Sequence, residues 1–340
     1  MSFANIIRGD AFSFTSLTSA VNKILPEPEG LDTIFTFNEK GINTLTALVE
    51  YKDGKLGLVP TSERGSVGKA ISSNRRTARP IFVPHYQEFD AIMATEVQGV
   101  RQFGSESEFE TVMSKLTEKQ TDMVTKLNRT LNYAKAGMIQ GYLFDADGSV
   151  IYDWHQELGF TRNSFEFDIT NPNINIRDIV VKMKRQAEVK LGGYTYSRFV
   201  WLLPPEMFDL VVAHVSLKEA FDRWQDGAWN RADNRKGFVI ADNVEIRSYD
   251  VNTTGALDGS GNPIRMFPAD KSYLVPDSNA LFQVRYAPAD TMEAANTIGL
   301  PYYSASEPKP FNKGVDVTAE SNFVVYSEKP DAIVEVTFAD

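Results

Sequence analysis

The chain has 340 residues, 42% hydrophobic and 24% charged, which excludes a disordered or collagen-like polymer and supplies enough apolar material for a sizeable core. It contains no cysteine, so disulfides and thiolate metal sites are excluded. The formal net charge of −10 opposes the counterion release that drives non-specific binding to duplex DNA.

The opening residues lack a basic stretch followed by an apolar one, and no apolar run approaches the roughly 18 residues of a membrane span. A soluble cytosolic product is the expectation. Residues 1–40 mix short apolar groups with Pro26 and Pro28 and show no sustained period, which predicts an extended arm; a plain flexible terminus fits the same composition.

Thr44 to Pro60 predicts a hairpin, because Asp53-Gly54 is a two-residue turn signal that sets Tyr51 opposite Leu56 and Val49 opposite Leu58. The polar run after it is rich in Gly and Ser, and the next segment is held extended by Pro80 and Pro84. Together they predict a long two-stranded excursion with a charged tip. From Arg64 to Gln87 the chain carries Arg64, Lys69, Arg75, Arg76 and Arg79 with no acid, whereas the last 61 residues hold four basic against nine acidic groups. Five like charges on a protruding loop repel unless they meet acidic partners, which other copies of this acidic chain supply, so these five are predicted inter-subunit contacts.

Ser105 and Glu108 form an S-x-x-E capping box ahead of Phe109, Met113, Leu116, Met123, Leu127, Leu131, Ala134, Met138 and Tyr142. With Gln120 in register, 33 residues take nine steps, about 3.67 each, nearer the straight helix than the coiled coil. This predicts one long helix on a sheet; two helices broken near Gly137 are the alternative. Ala146 to Phe160 reads as a turn and a strand that contains His155. Asn175 caps a helix through Leu191 that stops at Gly192-Gly193, a strand follows from Phe199 to Leu203, and Pro205 opens the next helix. A second capping box, Ser216 with Glu219, opens another that stops at Gly227. From Phe238 onward the pattern is mostly strand, and the closing NFVVYSEKPDAIVEVTF predicts a terminal hairpin around Lys329-Pro330-Asp331.

Little in the sequence suggests chemistry. His85, His155 and His214 stand apart, and no metal-helix spacing, phosphate cradle or nucleophile elbow occurs. Asp145-Ala146-Asp147-Gly148 imitates the start of a calcium loop but has Val150 where glycine is required, so a polar turn is the better reading. Phe221, Trp224 and Trp229 read as core or interface anchors before a ligand pocket. No catalytic, cofactor-binding or metal residue is assigned.

The strings LVPTSERGSVG, RRTARPIFVPH, EVQGVRQFGSESEFETV, QGYLFDADGSVIYDWHQELGF and KPDAIVEVTF, in this order, resemble the major capsid protein E family of lambda-like tailed phages across about residues 30–340. The resemblance implies an α+β fold of the Hong Kong 97 type. Its parts would be an N-terminal arm (1–43), an extended β-hairpin loop (44–90), a peripheral domain (91–170 and 304–340) with a spine helix at about 106–144, and an α/β axial domain (171–303). The C-terminal strands would return to the peripheral sheet.

It further implies a non-enzymatic, cofactor-free head protein that assembles in the host cytoplasm into pentamers and hexamers of the virion shell. Scaffold, portal and decoration proteins would be its partners, double-stranded DNA its cargo without sequence-specific binding, and no membrane would be involved. Cross-linking through Lys52, Lys55 or Lys69 is disfavoured. Alternatives are a nanocompartment shell, which shares the fold, and an enzyme with an unfamiliar α/β site.

Overall fold

A computed structural model describes residues 10–24, 30–52, 76–97, 108–222, 237–249 and 265–339. Helix α1 (Phe14–Val21) stands inside the segment expected to be an extended arm. Ser13 caps it, Oγ accepting from Ser16 N, and Leu17 and Val21 are buried one turn apart. Eight residues give only two turns, too few for a helical period to emerge from the sequence. The arm then adds β1 (Asn38–Gly41), which pairs in parallel with a strand far along the chain.

Strands β2 (Thr46–Lys52) and β3 (Arg76–Phe82) form an antiparallel ribbon. Val49 lies opposite Arg79 and Tyr51 opposite Thr77, in place of the expected Leu58 and Leu56, so the strand that pairs with β2 comes from beyond the tight hairpin read from the sequence. The turn expected at Asp53-Gly54, with Leu56 and Leu58, lies outside the described residues. Strand β4 (Tyr86–Met93) follows.

The long helix, α2 (Glu108–Gln140), is continuous through Gly137 and spans about 50 Å. Leu116, Met123, Leu127, Leu131, Ala134 and Met138 are buried as the period predicts, and Gln120 is buried in register with them. Ser105 and the side chain of Phe109 lie outside the described set. The helix stops short of the expected Phe144: Gly141 adopts φ +86°, and Tyr142 begins β5 (Tyr142–Phe144). Gly137 makes that reversal possible, since a Cβ there would sit 2.9 Å from Tyr142 O.

Strand β6 (Val150–Asp153) pairs with β5. The strand expected to run on to Phe160 gives way to helix α3 (Trp154–Leu158), because Asp153 Oδ1 accepts from His155 N and Gln156 N at 3.0 and 3.3 Å and Gly159 closes the turn at φ +73°. Strand β7 (Asn163–Phe167) leads to helix α4 (Ile176–Leu191), capped by Asn175 and stopped by left-handed Gly192. Next come β8 (Arg198–Leu203), α5 (Pro205–Ala213) and α6 (Val215–Asp222). Ser216 falls inside α6 instead of capping it; its Oγ accepts from Ile176 N at 3.2 Å, joining α6 to α4. Gly227, Trp224 and Trp229 lie outside the described residues, as does the side chain of Phe221.

The remaining strands are β9 (Phe238–Ile240), β10 (Val244–Ser248), β11 (Ser272–Asp277), β12 (Phe282–Tyr286), β13 (Tyr303–Pro308), β14 (Gly314–Ser321), β15 (Phe323–Ser327) and β16 (Val334–Phe338). A six-stranded mixed sheet runs β7-β16-β11-β8-β10-β9, and two three-stranded sheets run β1-β12-β15 and β13-β14-β4. The two closing runs are strands but not a hairpin: β15 pairs with β12, and β16 pairs with β7 and β11. Every residue of β15 is buried, as are Val334 and Val336 of β16. The turn Pro330–Ala332 separates the two runs, so that β15 lies at the edge of one sheet and β16 inside another. β16 lies beside β7, while β15 joins a separate sheet with β12 and β1.

Candidate assembly surface

The ribbon β2-β3 is apolar on both faces. Ala47, Val49 and Ile81 point into the main core, while Leu48 and Phe82, with the adjoining Leu45, are 64%, 69% and 67% exposed. Directly opposed residues share a face, so Leu48 with Pro80 and Thr46 with Phe82 make up the outer one. The root is firmly held: Tyr152 Oη donates to Phe82 O at 3.1 Å and Val83 N to Leu45 O at 3.0 Å. Large apolar side chains on the solvent face of a fixed ribbon make it a candidate contact surface. The alternation in TALVEYK and RTARPIF carries this signal, but only the observed pairing tells which face is free.

Of the five basic residues expected to act between subunits, Arg64, Lys69 and Arg75 lie outside the described residues. Arg76 stands in β3 opposite Lys52, with its side chain likewise outside. Arg79 is exposed and donates from Nη1 to the Glu157 carbonyl of its own subunit, which ties the ribbon root to α3. Lys52 stands in β2, and Lys55 and Lys69 lie outside the described set.

His214 is buried, with Nδ1 2.8 Å from Ser216 Oγ and Nε2 donating to Asn171 O at 3.2 Å. His155 packs so closely on Gly141 that a Cβ there would lie 2.3 Å from its ring, and burial, reinforced by Arg162, pushes its pKa down and keeps it neutral. His85 Nδ1 lies 3.0 Å from Asn322 Oδ1 and 3.3 Å from Glu320 Oε1. Asp145 to Ser149 form a polar turn, Asp147 Oδ1 accepting from Ser149 N at 2.8 Å, and it joins two strands. Among the described residues no group of three His, Asp or Glu side chains could hold a metal ion, and no helix is long and apolar enough to cross a membrane.

The sequence matches the family described as "Phage major capsid protein E" over residues 13–338. It is 24% identical to a major capsid protein of Salmonella phage Felix O1, covering 96% of each chain. A major capsid protein of Pseudomonas phage KPP10 is 23% identical, over 95% of this chain and 96% of that one. A crystal structure of a chain assigned as the capsid protein of a prophage of Escherichia coli CFT073 superposes with a TM-score of 0.59 at 13% identity, covering 99% and 97% of the two chains.

Proposed function

Since this chain belongs to the phage major capsid protein E family, and is a virion structural protein of the Hong Kong 97 fold type, we propose that it assembles as pentamers and hexamers of one chain into an icosahedral shell around double-stranded DNA. Assembly would occur in the host cytoplasm, with scaffold, portal and decoration proteins as further partners, and no catalytic step or cofactor is required. The observation that carries the reading is the β2-β3 ribbon, fixed at its root and apolar on its free face.

In this reading residues 1–43 are the arm, 44–90 the extended loop, 91–170 with 304–340 the peripheral part and 171–303 the axial part. The last two share a sheet, because β16 is inserted between β7 and β11. The ribbon reaches over a neighbour, its outer face covers apolar surface there, and Arg64, Lys69, Arg75 and Arg76 meet acidic groups, while Arg79 also holds the root. Charges on an isolated loop contribute little to folding, but at a repeated, partly desolvated interface each pair counts for more.

The double reversal Arg75→Glu with Arg76→Glu tests this. Circular dichroism and melting of the unassembled chain should stay unchanged while negative-stain microscopy shows shell formation lost. Normal shells from the variant, or an unfolded subunit, would refute the inter-subunit role of the loop.

A further inference from the structure

The sheet β13-β14-β4 carries an exposed apolar group at each end. At one end the turn joining β13 to β14 displays Phe311, which is 92% exposed. Phe311 and Asn312 both hold left-handed backbone, at φ 60° and 53°, a conformation disfavoured for any residue with a Cβ. The turn is nonetheless well fixed: Lys309 N donates to Gly314 O at 2.9 Å, and Ala94 N donates to Lys313 O at 3.1 Å. Lys309 is engaged by Asp316 at 2.7 Å, and the Lys313 ammonium lies 5.9 Å from the centre of the Phe311 ring. The end is therefore an aromatic knob accompanied by a cation.

At the other end, in the segment before β13, Met292, Ile298 and Leu300 are 90%, 69% and 42% exposed. Exposed Asp290 and Glu293 accompany them, and the sequence from Tyr286 to Pro308 has no Lys or Arg. This segment too is held in place. Gly299 N donates to Ile42 O and Leu300 N to Tyr303 Oη, both at 2.8 Å. The backbone passes so near β12 that a Cβ on Gly299 would sit 2.1 Å from Tyr286 O.

The six residues of β13 separate the two ends by about 20 Å, so knob and acidic patch cannot meet within one copy. Their chemistry is complementary between copies. We propose that Phe311 of one subunit docks onto Met292, Ile298 and Leu300 of a second copy of this chain, with Lys313 facing Asp290 and Glu293. Such a contact is heterologous, each copy giving its knob and receiving another, and it propagates around a ring or across a closed lattice. The inference rests on the shell-forming reading above and adds a second contact, separate from the ribbon.

The chain's lack of cysteine makes the test clean. A variant carrying both Phe311→Cys and Met292→Cys is assembled, oxidised mildly and run on a non-reducing gel. Covalent dimers, trimers and higher species are expected, because each copy offers both partners, and neither single variant should cross-link. A disulfide requires Cα atoms within about 7 Å, which excludes closure inside one subunit.

Assembled particles without a ladder, or dimers from Phe311→Cys alone, would overturn the contact while leaving the shell reading intact. An unmodified chain that forms neither rings nor shells would overturn both. As a second measurement, Lys313→Glu and Glu293→Lys should each slow assembly at least tenfold, and their combination should restore it. Failure of that rescue contradicts the charge pairing.

Discussion

Lys135 of the long helix is almost wholly buried and places its ammonium 2.6 Å from Asp32 Oδ1 and 3.1 Å from Glu39 Oε1, tying the arm to the core. The same ammonium lies 4.6 Å from the centre of the Phe37 ring, and Glu39 also accepts from Tyr286 Oη at 3.0 Å. The two carboxylates keep 52% and 39% of their side-chain surface, so they can rehydrate if the cation is removed, whereas an anion at 135 would be buried beside them. Lys135→Met should therefore leave the melting temperature within a few degrees while speeding hydrogen exchange in residues 30–41. Lys135→Glu should cost about 3–5 kcal/mol. Equal denaturation midpoints for the two variants would show that the clamp is not electrostatic.

Leu127 is 3% exposed and packs with Leu17, Ile92 and Val317, joining α1, α2 and the terminal sheet in one cluster. Leu127→Asp buries an unpaired charge and should destabilise by several kcal/mol, roughly the upper range for point substitutions. Urea titration measures this. An unchanged midpoint would mean that the helix does not pack on the sheet through this stripe.

Burial raises the pKa of the Asp331 carboxyl, with Lys329 and Lys190 opposing more weakly, and its Oδ1 is buried without a hydrogen-bond partner. The folded state then holds this proton more tightly than the unfolded chain. Its contribution to stability consequently falls as pH rises from the ordinary carboxylate range through the raised folded value. Asp331→Asn removes that slope, so the variant should gain on the parent as pH rises above the ordinary carboxylate range. A stability difference, variant minus parent, that stays constant or falls as pH rises would contradict the assignment.

The acidic balance of −10 predicts that the isolated chain shows no measurable affinity for duplex DNA near physiological salt. Fluorescence anisotropy with a labelled duplex checks this, and micromolar, salt-sensitive binding would oppose the view that the shell confines DNA without holding it.

The long helix was legible because its apolar stripe repeats over nine turns, and α4 because both its ends carry strong cap signals, Asn175 and Gly192. Helix α1 was not, since Leu17 and Val21 alone make no period. Lys135 falls at a buried register where a charge is unexpected, and nothing nearby in sequence announces partners about 100 residues away. The separation of β15 from β16 was hidden for a different reason: both runs read like hairpin arms, and their partners, β12 for one and β7 with β11 for the other, lie far away in sequence. The same limit applies to the surface. In sequence nothing sets Leu48, Phe82 and Phe311 apart from other apolar residues, and only the pairing and the turn leave them outside.

Electron cryo-microscopy of particles formed by the purified chain, or isolated from cells expressing it, tests the central claim most directly. The account predicts closed shells whose vertices and faces are rings of five and six copies, with the Thr46–Phe82 ribbon of each copy lying over a neighbour. Monodisperse monomers at high concentration, or particles in which the outer face of Leu48 and Phe82 remains in solvent, would contradict it.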